Sequence, residues 1–229
     1  MSNILRRFIN EVFSTQQRHY FGPDPDEYRK APGSEMNIDA LLDAGFVTLG
    51  RGASRLTFLI PGIDDKVLKV VHYFGDRRLN RYEANNQLQT AFPEFIPQVY
   101  AAADDYEWII SERVDIISSD AQFDVILTKM FPALADVQIG PSAYDHFGGT
   151  PHRIMASMLK HSDDIYHADV VKRVNDKDVI KDIMRQMTRL IAMVHQFNIE
   201  PDEIRANNVG VRHGQQDSFV LLDASIFSE

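Results

Sequence analysis

The sequence predicts an α+β fold in which a strand-rich first half is followed by a helix-rich second half. Short β-branched runs separated by glycine turns fill Phe46 to Val71, a pattern typical of paired strands. After Asp115 the apolar residues recur at helical spacing, most clearly between Asp176 and Phe197. Two short apolar runs, Val209 to Val211 and Phe219 to Leu222, predict a final pair of strands.

Composition restricts the class of protein before any motif is considered. The 229 residues are 44% hydrophobic and 25% charged, which is typical of a globular chain with a core. The net charge of −9 is spread along the chain and argues against nucleic acid or an anionic membrane as the partner. The absence of cysteine excludes disulfides, thiolate zinc sites and cysteine nucleophiles. Residues 1–20 do not resemble a signal peptide and no long apolar run follows, so we expect a cytoplasmic protein.

The chain divides into three predicted parts. Residues 1–45 form a helical extension, which begins with an amphipathic helix over Ile4 to Phe13 and continues into a loop rich in proline and glycine. Residues 46–114 carry most of the strands, and residues 115–229 carry most of the helices. Apart from the strands already named, the patterns predict helices at Ile38 to Leu42, Arg77 to Phe92, Asp120 to Phe131, Pro151 to Leu159 and Asp176 to Phe197, and strands at Gln98 to Ala102 and Trp108 to Val114.

A glycine turn followed by a lysine-bearing strand is the first feature with chemical meaning. Gly50 and Gly52 lack side chains, so a backbone turn that contains them can approach a phosphate closely. Alone, such a pair usually marks an ordinary hairpin. The next apolar strand carries Lys69, whose charge needs a partner unless the strand lies at a solvated edge. Val67 and Lys69 share one face of that strand, which would offer a wall to a base and an ammonium to phosphates.

Glu83 is the candidate partner of this lysine. It lies fourteen residues after Lys69, in the middle of the predicted helix. Most glutamates on helices are simply solvated. Because this one follows a glycine turn and a strand lysine, we predict an ion pair in which Glu83 orients Lys69.

In this order, the three features resemble the protein-kinase superfamily. The sequence is most similar to the small kinase-like proteins of bacteriophages, including those of the short-tailed coliphages that act on serine and threonine. The likeness extends from Phe46 to Ser225. Ser111-Glu112-Arg113-Val114 resembles the hinge, and the segment Val220 to Ser225 stands where the family has its metal-binding Asp-Phe-Gly. The resemblance implies a bilobal fold with a strand-rich N-lobe, residues 46–114, and a reduced helical C-lobe, residues 115–229.

A segment after the long helix resembles the catalytic loop of this family, in which an aspartate precedes a metal-binding asparagine by five residues. Two registers fit that spacing, Asp202 with Asn207 and Glu203 with Asn208. The family has an apolar strand directly after the asparagine, and Val209 meets this condition only for Asn208. We therefore expect Glu203 in the position of the base, with Asp202 as its possible substitute. Glutamate has a longer arm than aspartate, and a misplacement of about 1 Å can cost on the order of a hundredfold in rate.

The resemblance also implies ATP and Mg²⁺ as cofactors. Three groups of residues would share the work: Gly50, Gly52, Ser54 and Lys69 at the phosphates, with Glu83 holding Lys69; Val67 and the backbone of Glu112 and Val114 at the adenine; and Asn208 and Asp223 at Mg²⁺. Glu203 would receive or orient the attacking hydroxyl.

Two functions fit these expectations. The first is a phage-type serine/threonine protein kinase that transfers the γ-phosphate of ATP to a host or viral protein in the host cytoplasm, with a small hydroxyl compound as the alternative acceptor. The second is a catalytically impaired pseudokinase that regulates or inhibits a partner protein. The chain ends six residues after Asp223, so we expect no activation segment, which favours the second. Any substrate platform would come from Asp115 to Asp176 or from the N-terminal segment. A third interpretation is an unrelated α+β protein in which the motifs occur by chance.

Overall fold

The computed structural model describes residues 20–52, 54–72, 77–84, 86–137, 149–162, 174 and 176–222. These residues form a five-stranded and a three-stranded antiparallel sheet together with helices, which confirms the predicted α+β class. The chain divides into two compact units, Met1–Ala91 with Pro97–Arg113 and Phe92–Ile96 with Val114–Glu229. The predicted helix over Ile4 to Phe13 lies outside the described residues.

The first unit is built on the five-stranded sheet. Its strands are β1 (Val47–Arg51), β2 (Arg55–Ile60), β3 (Ile63–Val71), β4 (Val99–Ala102) and β5 (Trp108–Glu112), and they lie in the order β1-β2-β3-β5-β4. The turn between β2 and β3 contains Gly62 at φ +72°, a backbone conformation that glycine adopts without steric cost. This turn confirms that a glycine turn separates two of the strands predicted between Phe46 and Val71.

One face of this sheet carries the main core of the first unit. Alternate residues of β2, β3 and β5 point to this face, where the short helix α1 (Ile38–Asp43) contributes Leu41. The buried cluster contains Met36, Leu41, Phe46, Leu56, Phe58, Ile60, Leu68, Val70, Ala101, Ala103, Trp108 and Ile110. The described residues before β1 therefore pack on the sheet as part of the first unit.

The helix predicted from Arg77 to Phe92 is two helices, α2 (Arg77–Glu83) and α3 (Asn86–Ala91). Two consecutive asparagines follow Ala84 in the sequence, and asparagine side chains compete with the backbone for helical hydrogen bonds. The side chain of Gln89 also donates to the Glu83 carbonyl at 2.7 Å and accepts from the N–H of Val99 at 3.2 Å. The prediction of one continuous helix was therefore wrong, and the break directly follows Glu83.

The second unit contains the three-stranded sheet, formed by β6 (Val114–Ile116), β7 (Val209–Arg212) and β8 (Phe219–Leu221) in that order. The predicted final pair of strands is confirmed, but its partner β6 was not predicted. The strand expected from Trp108 to Val114 ends at Glu112, and Val114 belongs to β6.

Helices complete the second unit: α4 (Asp120–Met130), α5 (Pro151–Lys160), α6 (Lys177–Gln186) and α7 (Thr188–Gln196). The long helix predicted from Asp176 to Phe197 is interrupted at Met187. The hydroxyl of Thr188 donates to the carbonyls of Met184 and Arg185 at 3.1 and 2.9 Å, a type of bond that bends helices. The fully buried side chains of this unit include Phe123, Leu127, Ile154, Met155, Met158, Ile183, Met187, Leu190, Met193 and Phe219.

Candidate functional site

The hairpin of β1 and β2 carries both glycines of the predicted phosphate-binding turn. Gly50 pairs with Thr57, and the N–H of Gly52 donates to the Arg55 carbonyl at 2.9 Å. Neither glycine has a positive φ. A Cβ at Gly50 would meet no described atom within 4 Å, and one at Gly52 would meet only the Arg55 carbonyl oxygen, at 3.6 Å. The described part of the fold therefore does not itself require glycine at these positions.

Ser54 follows this turn, next to Ala53, which lies outside the described residues. The Ser54 carbonyl accepts a hydrogen bond from the N–H of His72 at 3.0 Å. Arg51 Nη2 lies 2.9 Å from His72 Nε2. Desolvation, together with the Arg51 charge, lowers the pKa of the exposed His72 imidazole below its usual value. The imidazole thus favours its neutral form beside the glycine hairpin.

Lys69 lies in the middle of the sheet and is only 9% exposed. In the ladder it faces Thr57 of β2 and Ile109 of β5. Its Nζ lies 2.7 Å from Oε2 of Glu83, the last residue of α2. The predicted ion pair is therefore confirmed, and the solvated edge strand considered as the alternative is wrong for this lysine.

The strand face that carries Lys69 also carries Val67, as the alternation predicts. Val67 is 3% exposed, and in the ladder it lies opposite Leu59 and Ser111. Nearby on the sheet, Ile109 and Val99 form a small buried cluster with Ala84. An apolar surface therefore adjoins the Lys69 ammonium on this side of the sheet.

The carboxylate of Glu83 has a second cationic partner that the sequence patterns did not indicate. Arg55 Nη1 lies 2.5 Å from Glu83 Oε1, so two cations share the two oxygens. The same Nη1 donates to Oδ1 of Asn80 at 3.3 Å, and Nδ2 of Asn80 donates to the Tyr106 carbonyl at 2.9 Å. Asn80 is fully buried. In the sequence, the one signal of these contacts was the spacing of Asn80 and Glu83, which places both residues on one face of a helix.

The two residues of the predicted hinge, Glu112 and Val114, belong to different units. In the first unit, the N–H of Glu112 donates to the Gln98 carbonyl at 2.7 Å, so this donor is used within the sheet. In the second unit, the N–H of Ile117 donates to the Val209 carbonyl at 3.3 Å. Alternation along the β6–β7 ladder then directs the N–H and carbonyl of Val114 away from β7.

The segment that resembles a catalytic loop consists of two short 3₁₀ turns, Pro201–Glu203 and Ala206–Asn208, directly before β7. Asn208 Nδ2 donates to the Glu203 carboxylate at 2.6 Å and to the Glu203 carbonyl at 3.0 Å. Arg205 also contacts this carboxylate, at 3.2 Å. The structure therefore brings together the two residues of the chosen register.

The other register does not form such a pair. The Asp202 carboxylate is largely exposed and lies 3.5 Å from Lys160 Nζ. Asn207 is exposed.

The N–H of Leu222 donates to the Asn208 carbonyl at 2.9 Å. The next residue, Asp223, lies outside the described residues.

Two surface cavities of the first unit are lined by residues other than Lys69 and Glu83. One, of about 750 Å³, is lined by residues between Asp24 and Gly33 and by Asp105 and Trp108. The other, of about 460 Å³, is lined by residues that include His72. Neither is lined by Lys69 or Glu83, so the assignment of the candidate site rests on the side-chain contacts alone.

No protein-family model matches the sequence, and no curated protein matches it. Within the described ranges, no group of three or more histidine or carboxylate side chains is arranged to hold a metal ion. Among the helices of these same ranges, none is long and apolar enough to cross a lipid bilayer.

Proposed function

We propose that the chain is an ATP-binding protein of the bilobal protein-kinase type that transfers the γ-phosphate of ATP to a serine or threonine of a host or viral protein. The ion pair between Lys69 and Glu83 carries this proposal. A buried lysine ion pair is costly to form in a fold that only needs stability, since well-packed apolar residues serve at least equally well. A role in binding a ligand gives a reason for it.

The phosphates of ATP are assigned to the first unit. Lys69, oriented by Glu83, supplies the ammonium for the inner phosphates. The β1–β2 turn ends in β2, which is the neighbour of β3, the strand of Lys69. Neither crowding nor a positive φ explains why glycine occupies positions 50 and 52. Close approach of the backbone to a phosphate, with Ser54 at the end of the turn, is the use that glycine permits there.

Mg²⁺ is the ion that this chemistry implies, and when bound it would neutralise charge on the phosphates. Among the described residues, one fits the role of a Mg²⁺ ligand. Asn208 donates both of its hydrogen bonds through Nδ2, which fixes the orientation of the amide and of its oxygen. An amide oxygen is a ligand of the type that Mg²⁺ accepts. Asp223 is proposed as the second ligand on the resemblance alone.

Glu203 is proposed to orient the acceptor hydroxyl and to receive its proton. Its carboxylate is held by Asn208 and Arg205, so its position does not depend on a long free side chain. Positioning of this kind is the main contribution that a protein makes to phosphoryl transfer.

The same contacts favour a second candidate, a pseudokinase that binds nucleotide and regulates a partner protein without transferring phosphate. Asn208 and Arg205 both contact Oε2 of Glu203, so a substrate proton received at that oxygen would displace one of these bonds. This observation supports a binding role for the loop.

Incubation of the protein with γ-labelled ATP and Mg²⁺ tests the two candidates. The kinase proposal expects label on the protein itself or on a protein of a host lysate, and loss of the label when Lys69 is replaced by Met. Saturable nucleotide binding without any transfer would favour the pseudokinase. Neither binding nor transfer would overturn both.

A further inference from the structure

We infer that Arg55 is a positioning residue, which fixes the Glu83 carboxylate so that its other oxygen is available to Lys69. This inference deepens the proposed function and rests on it, because the role of Lys69 there is to bind the phosphates. The contacts behind it are those of the first unit, at Arg55 of β2, Lys69 of β3 and Glu83 of α2.

Each oxygen of the Glu83 carboxylate has its own cation. Oε1 lies 2.5 Å from Arg55 Nη1, and Oε2 lies 2.7 Å from Lys69 Nζ. All three side chains are largely buried, with 11 to 13% of their surface exposed. A carboxylate with a cation at only one oxygen can rotate about its last bonds, whereas an ion-pair contact at each oxygen restricts that rotation. Arg55 thereby reduces the freedom of the oxygen that Lys69 uses.

The helix that carries Glu83 needs this support. α2 has seven residues, and Glu83 is the last of them. Helices this short are not stable by themselves, and their last turns open most easily. The Glu83 carbonyl is held by Gln89, but its side chain depends on contacts with the sheet. The contact with Arg55 ties the end of α2 to β2.

Arg55 is itself anchored. Its Nη1 donates to Asn80 Oδ1 at 3.3 Å, and the fully buried Asn80 donates through Nδ2 to the Tyr106 carbonyl at 2.9 Å. Asn80 and Glu83 are three residues apart on α2 and thus face the same side. A chain of contacts therefore runs from the turn between β4 and β5, through Asn80 and Arg55, to the carboxylate that orients Lys69.

Hydrogen exchange provides a test that needs no nucleotide. The amide of Ala84 donates to the Asn80 carbonyl at 2.9 Å and reports on the end of α2. Arg55→Met should accelerate exchange of this amide about tenfold, because the loss of an ion-pair contact between largely buried groups costs more than about 1 kcal/mol. The amides of Leu68 and Val70 in β3 should remain protected. The control Arg81→Met, which removes an exposed arginine of the same helix, should leave all three unchanged.

A mutant cycle on nucleotide affinity tests whether Arg55 acts through Glu83. Arg55→Met should weaken Mg²⁺·ATP binding about tenfold in the wild-type background and less than about twofold when Glu83 is already Gln. Arg55→Lys should restore part of the affinity, because it returns a cation to the same place. Equal weakening in both backgrounds would mean that Arg55 contacts the phosphates directly, and the inference would be wrong.

The two measurements separate the inference from the proposed function. Unchanged exchange at Ala84 in Arg55→Met, or faster exchange throughout β3 as well, overturns the positioning role whatever the nucleotide result. Selective exchange at α2 with no nucleotide binding by the wild type supports the positioning role and overturns the proposed function.

Discussion

At the scale of single residues, the buried charges of Lys69 and Glu83 compensate each other. Both side chains are largely buried, and the pair forms at 2.7 Å. Removal of the Glu83 carboxylate takes an anionic partner from the buried Lys69, and breaking a buried pair typically costs about 3–5 kcal/mol. At Glu83 the loss would be larger than at an ordinary surface glutamate, because Arg55 also depends on its carboxylate.

Glu203 provides the first prediction at this scale. If Glu203 is the base, Glu203→Gln should abolish phosphotransfer and leave the affinity for Mg²⁺·ATP nearly unchanged, because a base acts on the acceptor hydroxyl in the transition state. Glu203→Asp should retain or raise activity. Labelled-phosphate transfer and calorimetry measure the two quantities.

Asp202 is the matched control for this substitution. Its carboxylate is exposed and contacts Lys160. Asp202→Asn should transfer phosphate like the wild type. Loss of transfer in Asp202→Asn together with normal transfer in Glu203→Gln would show that the other register is the correct one.

Gly210 provides a prediction about stability. A Cβ at this position would collide with Cγ1 of Val114 and lie 2.7 Å from the carbonyl oxygen of Asp115, because β6 and β7 approach closely there. Gly210→Ala should lower the free energy of unfolding by about 1–3 kcal/mol, the usual cost of overpacking. Urea unfolding measures this change. The control Gly50→Ala, where a Cβ meets no described atom within 4 Å, should cost much less; an equal cost would contradict the explanation by crowding.

At the scale of elements, an ion pair and a hydrogen bond attach the described residues before β1 to the turn between β4 and β5. Arg29 Nη2 lies 2.9 Å from Asp105 Oδ1, and the Arg29 side chain is 7% exposed. The N–H of Met36 donates to the buried Glu107 carboxylate at 3.4 Å, and Arg77 of α2 contacts both Asp105 and Glu107. The turn therefore contacts both the residues before β1 and the helix α2.

Asp105 gives this attachment a pH dependence. The hydrogen bond from Arg29 lowers the pKa of the Asp105 carboxyl below its usual 3.8. A carboxylate with a lowered pKa contributes stability above the pKa of the unfolded state and loses it as the pH falls through the folded value. Asp105→Asn should therefore lower the free energy of unfolding by about 1 kcal/mol at pH 7 and by progressively less as the pH falls below 3.8.

Urea unfolding over a range of pH checks this prediction, with Asp104→Asn as the control because Asp104 is the neighbouring exposed aspartate. The control should match the wild type at every pH. A loss in Asp105→Asn that is the same at neutral and acidic pH would show that the charge of Asp105 is not the cause.

Periodicity predicted the presence of these elements better than their ends. It indicated helices at 77–92 and 176–197, and both regions are helical, but each contains an interruption. Single polar side chains bond to the backbone beside both interruptions, Gln89 to Glu83 and Thr188 to Met184 and Arg185. A pattern of apolar residues does not report such bonds.

At the scale of the whole molecule, the order of motifs predicted that Lys69 would meet Glu83. The two residues form the expected ion pair, whereas the contact between Glu203 and Asn208 was not predicted. Arg55 and Asn80 were missed, because the sequence does not show which polar side chains of a strand and a helix will face each other. The strand β6 was missed for a similar reason, since its three residues form a strand only through pairing with β7.

Titration of Mg²⁺·ATP into the protein by calorimetry is the most direct test of whether the Lys69–Glu83 pair is the centre of a nucleotide phosphate site. The wild type should bind saturably. Lys69→Met should weaken the affinity at least about tenfold, because it removes a charged contact to the phosphates. Lys30→Met, which removes an exposed lysine of the same unit, should bind like the wild type. No binding by the wild type at millimolar nucleotide, or undiminished binding by Lys69→Met, would contradict the account.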